Sequence, residues 1–295
     1  MVLKCVQKIW ILMILVLSLS LFYCNQNNSA KPQSKERDMD LQTLVNQVKE
    51  KRPESQGTAS RLGQKATAAL VPLADDPDPE VRHMALICLG ITGGSQASGV
   101  ALKKLKDEDG QVVAQALQVL YKHPPVNLEK ELLEAYEAAK EASVREDLPL
   151  IAGRLAPNID PGPWKALWEN ETNEEIKNNL LIALSRMGDK QARQDFVQKM
   201  VSSKGLETVK WIDHCKYMED PWIVPHMLPL LNRQEIVTFL TPDLKNKRPM
   251  RIVDFIVPAI VELTGAKVGF PIKRTDPFTS EEIEQVRRIA IQVGK

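Results

Sequence analysis

From residue 41 onward the apolar positions follow a helical period. Leu41, Leu44, Val45 and Val48 fall on one face, and Arg52-Pro53-Glu54-Ser55-Gln56-Gly57 ends that stripe. The pattern then copies itself. Asp76-Pro77-Asp78-Pro79-Glu80-Val81-Arg82 precedes one apolar helix, and Asp107-Glu108-Asp109-Gly110-Gln111-Val112-Val113 precedes the next, aligned without gaps at a spacing of 31. Val81, Ala85, Leu86 and Leu89 coincide with Val112, Ala116, Leu117 and Leu120, offsets that draw one stripe along a helix. Weaker copies centre on Val144, with Leu148 and Ala152, and on Ile176, with Leu180, Leu181 and Leu184. The markers 81, 112, 144 and 176 are 31, 32 and 32 residues apart, and a fifth, poorly patterned unit centres on Val209. A second apolar helix follows in each unit, as in Val100–Leu105 and Phe196–Val201. The unit is helix, turn, helix, acidic turn. One such pair cannot bury its own apolar face, so neighbours must stack.

The pattern changes after Cys215. Asp220-Pro221-Trp222 opens a helix to Leu231, bent by Pro225 and Pro229. Arg233 to Met250 shows no helical stripe, and 241–251 reads as a long basic loop. Arg251–Thr264 reads as a buried helix ended by Gly265, and Val268–Pro277 as an extended loop. Thr279-Ser280-Glu281-Glu282 starts a closing helix with a capping box, its inner face being Ile283, Val286, Ile289, Ala290 and Val293.

Asp-x-Asp-Pro-x-Val-Arg followed by an Ala/Leu-rich helix, here at 76–89, resembles the short HEAT repeats of the phycobilisome-lyase type, over about residues 60–190. The resemblance implies an all-α fold, a right-handed α-solenoid of HEAT-like helical hairpins. It does not imply lyase activity, because such repeats serve many functions. In HEAT turns the residues matching Asp78 and Arg82 cap helices and pair with the next unit.

The N-terminus has a different chemistry. Lys4 and Lys8 precede fifteen uncharged residues, Ile9 to Tyr23, a length suited to a signal segment and short for a bilayer span. Cys24 and the polar run Asn25–Ser29 follow. Leu21-Phe22-Tyr23-Cys24 resembles a bacterial lipobox: Leu21 fits it, while Phe22 and Tyr23 are larger than its usual residues. Three readings stand, namely lipidation at Cys24, cleavage after Ala30 and an uncleaved anchor, and each exports the protein. The expected organisation is an export segment at 1–24, a flexible polar tether at 25–38, helical repeats at 39–219 and a helical C-terminal cap at 220–295. The expected site is exported and membrane-anchored, on the periplasmic or outer surface.

Charge narrows the partners. Without Lys4 and Lys8 the 39 basic residues fall to 37, against 38 acidic, so no global field favours nucleic acid. Of the four cysteines, Cys5 and Cys24 belong to the export segment, and Cys88 and Cys215 make no disulfide framework.

Catalytic chemistry finds no motif. Gly93-Gly94-Ser95-Gln96-Ala97 falls one residue short of G-x-S-x-G and sits in an inter-helix turn. His83, His123, His214 and His226 are followed by Met84, Pro124, Cys215 and Met227, so the His-Glu pairs of iron-binding HEAT enzymes are absent. No metal ligand, cofactor or catalytic residue is expected. Trp164 and Trp168 lie four apart on one face and read as core, with a ligand groove as the alternative. The candidate binding residues are Lys245, Lys247, Arg248 and Arg251, four cations for an anionic ligand or an acidic partner, with Arg251 also placed to pair with Asp254; the competing reading is a solvated loop that covers the end of the array. The sequence thus reads as a non-catalytic scaffold for an exported or envelope protein or a polymer. The alternative is an enzyme accessory or lyase-like protein sheltering a small ligand.

Overall fold

The computed structural model describes residues 32–243, 246–272 and 276–293. They divide into two compact units, with the chain boundary between Thr92 and Gly93. Almost all of the regular structure is helical, and the sheet among the described residues has two strands.

In the first unit, helices α1 (Pro32–Lys49) and α2 (Glu54–Leu62) lead through short helical turns at Gly63–Asp75 to α3 (Pro79–Thr92). Helix α1 begins within the expected tether. Its first residue is Pro32, whose fixed φ and missing N–H suit a first turn, and good helix formers follow it. The expected break at 52–57 shrinks to a turn around Lys51, which has a φ of 58°. Leu44 and Val48 of α1 and Ala85, Leu86 and Leu89 of α3 are fully buried. Cys88 joins them as a buried free thiol.

The second unit continues with α4 (Ser95–Lys104), α5 (Gly110–Lys122), α6 (Glu129–Ala138), α7 (Ala142–Gly153), α8 (Gly162–Asn170), α9 (Glu174–Met187), α10 (Lys190–Ser202) and α11 (Leu206–Met218). Helix α7 packs on α5, α9 on α7, and α11 on α9, so the hairpins stack in solenoid fashion. The markers Val81, Val112, Val144 and Ile176 are all buried, as the period requires. Each such side chain contributes roughly 1.5–3 kcal/mol of burial. The fifth marker is Thr208, not Val209. It keeps the 32-residue step and is fully buried, whereas Val209 is half-buried. Its hydroxyl accepts from Arg233 Nη1 at 3.2 Å and from Ser203 Oγ at 3.1 Å, which satisfies the polar atom.

Beyond α11, Pro221–Asn232 is a chain of 3₁₀ and α turns instead of one bent helix, because Pro225 and Pro229 remove two helical donors. The expected basic loop is an antiparallel ribbon, β1 (Ile236–Asp243) and β2 (Asn246–Arg251), with a bulge between Ile236 and Thr238. Its base is closed where Ile252 N donates to Glu235 O and Val253 N to Arg233 O, at 3.1 and 3.2 Å. The ribbon is therefore an insertion between α11 and α12 (Ile252–Thr264), which packs on α11 as the next helix of the stack. Gly265, at a φ of 61°, ends α12. Helix α13 (Ser280–Val293) covers α12 with Ile283, Val286 and Ala290, behind a capping box in which Thr279 N donates to Glu282 at 2.8 Å. The second unit thus ends in a helical cap.

Candidate functional site

The acidic turns organise the surface. Asp78 N donates to Asp76 and Glu80 N to Asp78, at 3.0 and 2.9 Å. Thirty-one residues on, Asp109 N donates to Asp107 and Gln111 N to Asp109, at 3.1 and 2.9 Å. Glu171 and Asn173 repeat the arrangement ahead of α9, with Asn173 N on Glu171 and Glu175 N on Asn173 at 2.9 and 3.0 Å. The matching positions before α7 are Ala139 and Glu141, and Glu141 makes no side-chain capping bond. In this one turn the carboxylate is not consumed in starting its helix.

Glu141 instead lines an open cleft of about 590 Å³ between α5 and α7. The floor is apolar, from Val113, Leu117 and Ile151, and the walls carry Asp107, Glu108, Glu141 and Asp147. Tyr121, 45% exposed, stands at the rim. A second hollow of about 430 Å³ shares Asp107 and Glu141 and is floored by Leu105, Ala135, Ala138 and Val144. Asp147 reaches solvent, yet the cleft walls thin the water around it and Glu146 repels it. Both effects raise its carboxyl above the usual range.

One end of the cleft is held by a ladder of charged and aromatic side chains. The Arg154 guanidinium lies 4.9 Å over the Tyr121 ring and 3.6 Å from Glu219. Glu219 also accepts from Arg186 at 2.7 Å, and Arg186 lies 4.8 Å over Tyr217. The Arg186 guanidinium holds the Glu219 carboxyl below its ordinary value against the opposing effect of burial. Tyr121, Arg154, Arg186 and Glu219 are 33, 32 and 33 residues apart, each interval within one residue of the repeat step of 32.

The basic candidates are placed differently. Arg251 is committed inside the chain: its N, Nε and Nη2 donate to Asp254, and Nη2 also reaches Phe278 O at 2.8 Å. Arg248 pairs with Asp276. Lys245 and the side chain of Lys247 lie outside the described residues, as does Cys24. Trp164 is buried edge-on against Tyr136 at 5.7 Å, while Trp168 is half-buried and borders a third hollow beside α9 and α10. Asp78 caps α3 and pairs with Lys51 at 2.6 Å, whereas Arg82 donates to its own turn, at Asp76 O and Pro77 O. Burial pushes the Cys215 thiol up and holds the adjacent His214 imidazole below its ordinary value. Among the described residues no three of His, Cys, Asp and Glu come close enough to hold a metal ion.

Residues 56–146 match the family model for HEAT repeats. No curated protein matches the chain. Among solved structures it is similar to YibA of Escherichia coli, at 16% identity over 91% of this chain and 98% of that one, with a TM-score of 0.43. Human deoxyhypusine hydroxylase, in a complex with glycerol, is similar at 15% identity over 88% and 98%, with a TM-score of 0.36. An archaeal HEAT-like repeats protein from Thermococcus onnurineus NA1 is similar at 13% over 86% and 98%, also with a TM-score of 0.36.

Proposed function

We propose that this protein is a non-catalytic binding scaffold, tethered at a bacterial membrane surface, whose stacked repeats present the α5–α7 cleft to a partner protein. The observation that carries the reading is the cleft itself. It has an apolar floor, two exposed carboxylates, Glu141 and Asp147, and an exposed aromatic rim, and it is built from helices that the repeat fixes in place. Its volume lies in the range of ligand sites, but it is open along the helix faces, which suits an extended chain better than a sheltered small molecule. An enzyme accessory or lyase-like protein would need an enclosed polar pocket instead. The tether follows from the charged, apolar and Cys24-bearing order of residues 4–24. No helix of the described residues is long and apolar enough to cross a membrane.

A photo-crosslinking amino acid at position 121, in cells making the full chain, tests the reading. A discrete adduct from 121, absent when the same group replaces Glu281 on α13, is the expected result. Adducts of equal yield from both positions, or none from 121, overturn it.

A further inference from the structure

We infer that the α5–α7 cleft receives an extended basic segment of its partner, with an arginine or lysine at the Glu141 and Asp147 carboxylates and an apolar residue beside it in the adjoining hollow. This rests on the scaffold reading and adds the chemistry of the partner.

The charges in the cleft are not all spent within the chain. Asp109 is consumed in capping α5, accepting from Gln111 N and Val112 N at 2.9 and 3.1 Å. Asp107 accepts from Asp109 N and from Lys104 at 3.5 Å. Glu141 and Asp147 have no basic partner among the described residues. Partial burial, and after it the neighbouring Glu146, raise the Asp147 carboxyl above its ordinary value. Two nearby arginines are engaged within the chain: Arg154 is stacked on Tyr121 and faces Glu219, and Arg145 is paired with Glu171 at 2.5 Å.

The shape decides which cation fits. The carboxylates are spread along the walls and do not converge as a metal site would. A compact ion therefore gains little, whereas a long side chain with an apolar stem and a charged head matches both floor and wall. The adjoining hollow differs in charge. Lys106 and Lys140 stand at its rim, and its floor is alanine, leucine and valine. A second basic residue is disfavoured there and an apolar one is favoured. Glu141, which borders both hollows, thus sets an order of one apolar and then one or more basic residues along the bound segment.

The full chain in detergent micelles is titrated into a fluorescein-labelled hexapeptide with one leucine and two arginines, and into counterparts with glutamine or glutamate in place of arginine. Fluorescence anisotropy at low salt reads the binding. The arginine peptide is expected to bind at least tenfold more tightly than the glutamine peptide, and the glutamate peptide not at all. Glu141→Gln with Asp147→Asn is expected to weaken the arginine peptide tenfold or more. Glu169→Gln with Glu281→Gln removes the same charge away from the cleft and is expected to leave binding unchanged. Both pairs are exposed, and an unchanged melting curve confirms that each variant folds. Equal binding of the arginine and glutamine peptides, equal loss in both double variants, or no binding of the arginine peptide overturns the inference. An adduct at position 121 without arginine-peptide binding sinks this inference alone, and the absence of both sinks the scaffold reading with it.

Discussion

The Arg145 guanidinium meets the Glu171 carboxylate at 2.5 Å across 26 residues, joining the start of α7 to the turn that starts α9. Tyr136 of α6 donates to the same carboxylate at 3.2 Å, and its ring packs on Trp164 of α8. Four helices of two successive hairpins are thereby tied to one acidic side chain that is 6% exposed. Burial works to raise the Glu171 carboxyl, but the N–H groups of Asn173 and Thr172 and the Arg145 charge outweigh it and hold it below its ordinary value. Glu171→Gln keeps the acceptor for the two backbone donors and loses the charge. Arg145 is 37% exposed and recovers water, so the expected cost is about 1.5 kcal/mol. Glu171→Ala strands the donors as well and is expected to cost about twice that. Urea midpoints compare the three proteins.

The same carboxylate sets a pH dependence. A folded pKa below the unfolded one means that the stabilisation is complete above about pH 4.3, the unfolded value, and is lost as pH falls through the folded value. Asp189, held down by the Ala192 N–H and Lys165 against burial, and Glu219 act in the same direction. Wild-type stability is expected to fall steeply below about pH 4. Glu171→Gln should shrink the gap between neutral and acid stability, and thermal melts at stepped pH read it. An unchanged gap would remove Glu171 from the acid response.

Arg251 provides a third expectation. Asp254 is 1% exposed, and Arg251 supplies its charge partner and most of its hydrogen bonds. Removing one member of a buried pair leaves an uncompensated charge, so Arg251→Ala is expected to destabilise the second unit by about 3 kcal/mol. The defect should appear in unfolding of the isolated protein. A variant of wild-type stability would return Arg251 to the pool of free surface cations.

The parts of the fold that were legible in the sequence share one cause. Val112, Val144 and Ile176 are apolar at a fixed step, and apolar residues at a helical spacing report a buried face directly. Thr208 breaks that signal while keeping the position, because the nearby Ser203 and the distant Arg233 satisfy its hydroxyl. The ribbon was hidden for a related reason. Pro242 and Pro249 read as loop punctuation, and the bulge near Val237 disturbs the alternation that marks a strand. The cleft left only a faint trace, at Glu141. Aligning the acidic turns puts a glutamate where Asp109 and Asn173 cap, and that substitution is visible in the sequence alone. Arg154 and Arg186 likewise sit at one repeat position, with Tyr121 one residue short of it, but a polar ladder has no hydrophobic signature. Arg251 and Arg248 drew attention as charges; spacing already offered Asp254 to Arg251, whereas only three-dimensional contacts reveal Asp276 beside Arg248.

Lipidation at Cys24 remains a proposal with a sharp readout. The uncharged run ends at Tyr23 and a polar stretch begins at Asn25, so cleavage before Cys24 leaves the thiol at the new N-terminus. Two acyl signals on one residue give stable membrane attachment where a single chain gives a reversible one. Mass spectrometry of the mature N-terminal peptide is expected to find acylated Cys24, and Cys24→Ala to release the protein from the membrane fraction. A mature chain starting at Lys31, or one retaining Met1, eliminates lipidation and leaves export standing.

Gly153 and Tyr217 offer the strictest test of the stacking. The Tyr217 hydroxyl donates to Leu150 O at 2.5 Å from 67 residues away, laying α11 against the C-terminal end of α7. It can do so because residue 153 has no side chain: a Cβ there would overlap that hydroxyl and stand 3.1 Å from the Ala183 Cα of α9. Gly153 is in a helix, where alanine is the better residue by about 1 kcal/mol, so an exposed glycine at this place would gain from the change. Gly153→Ala is instead expected to cost about 2 kcal/mol, as overpacked cores do. Tyr217→Phe removes the hydroxyl and its hydrogen bond, with an expected cost of about 1 kcal/mol. The two changes share one contact, so the double variant should lose clearly less than the sum of the single losses, the remainder reflecting Ala183. Urea denaturation of the four proteins closes the cycle. Additive losses would mean that Tyr217 does not occupy the space above Gly153 in solution, and the packing of α11 on α7 would have to be redrawn.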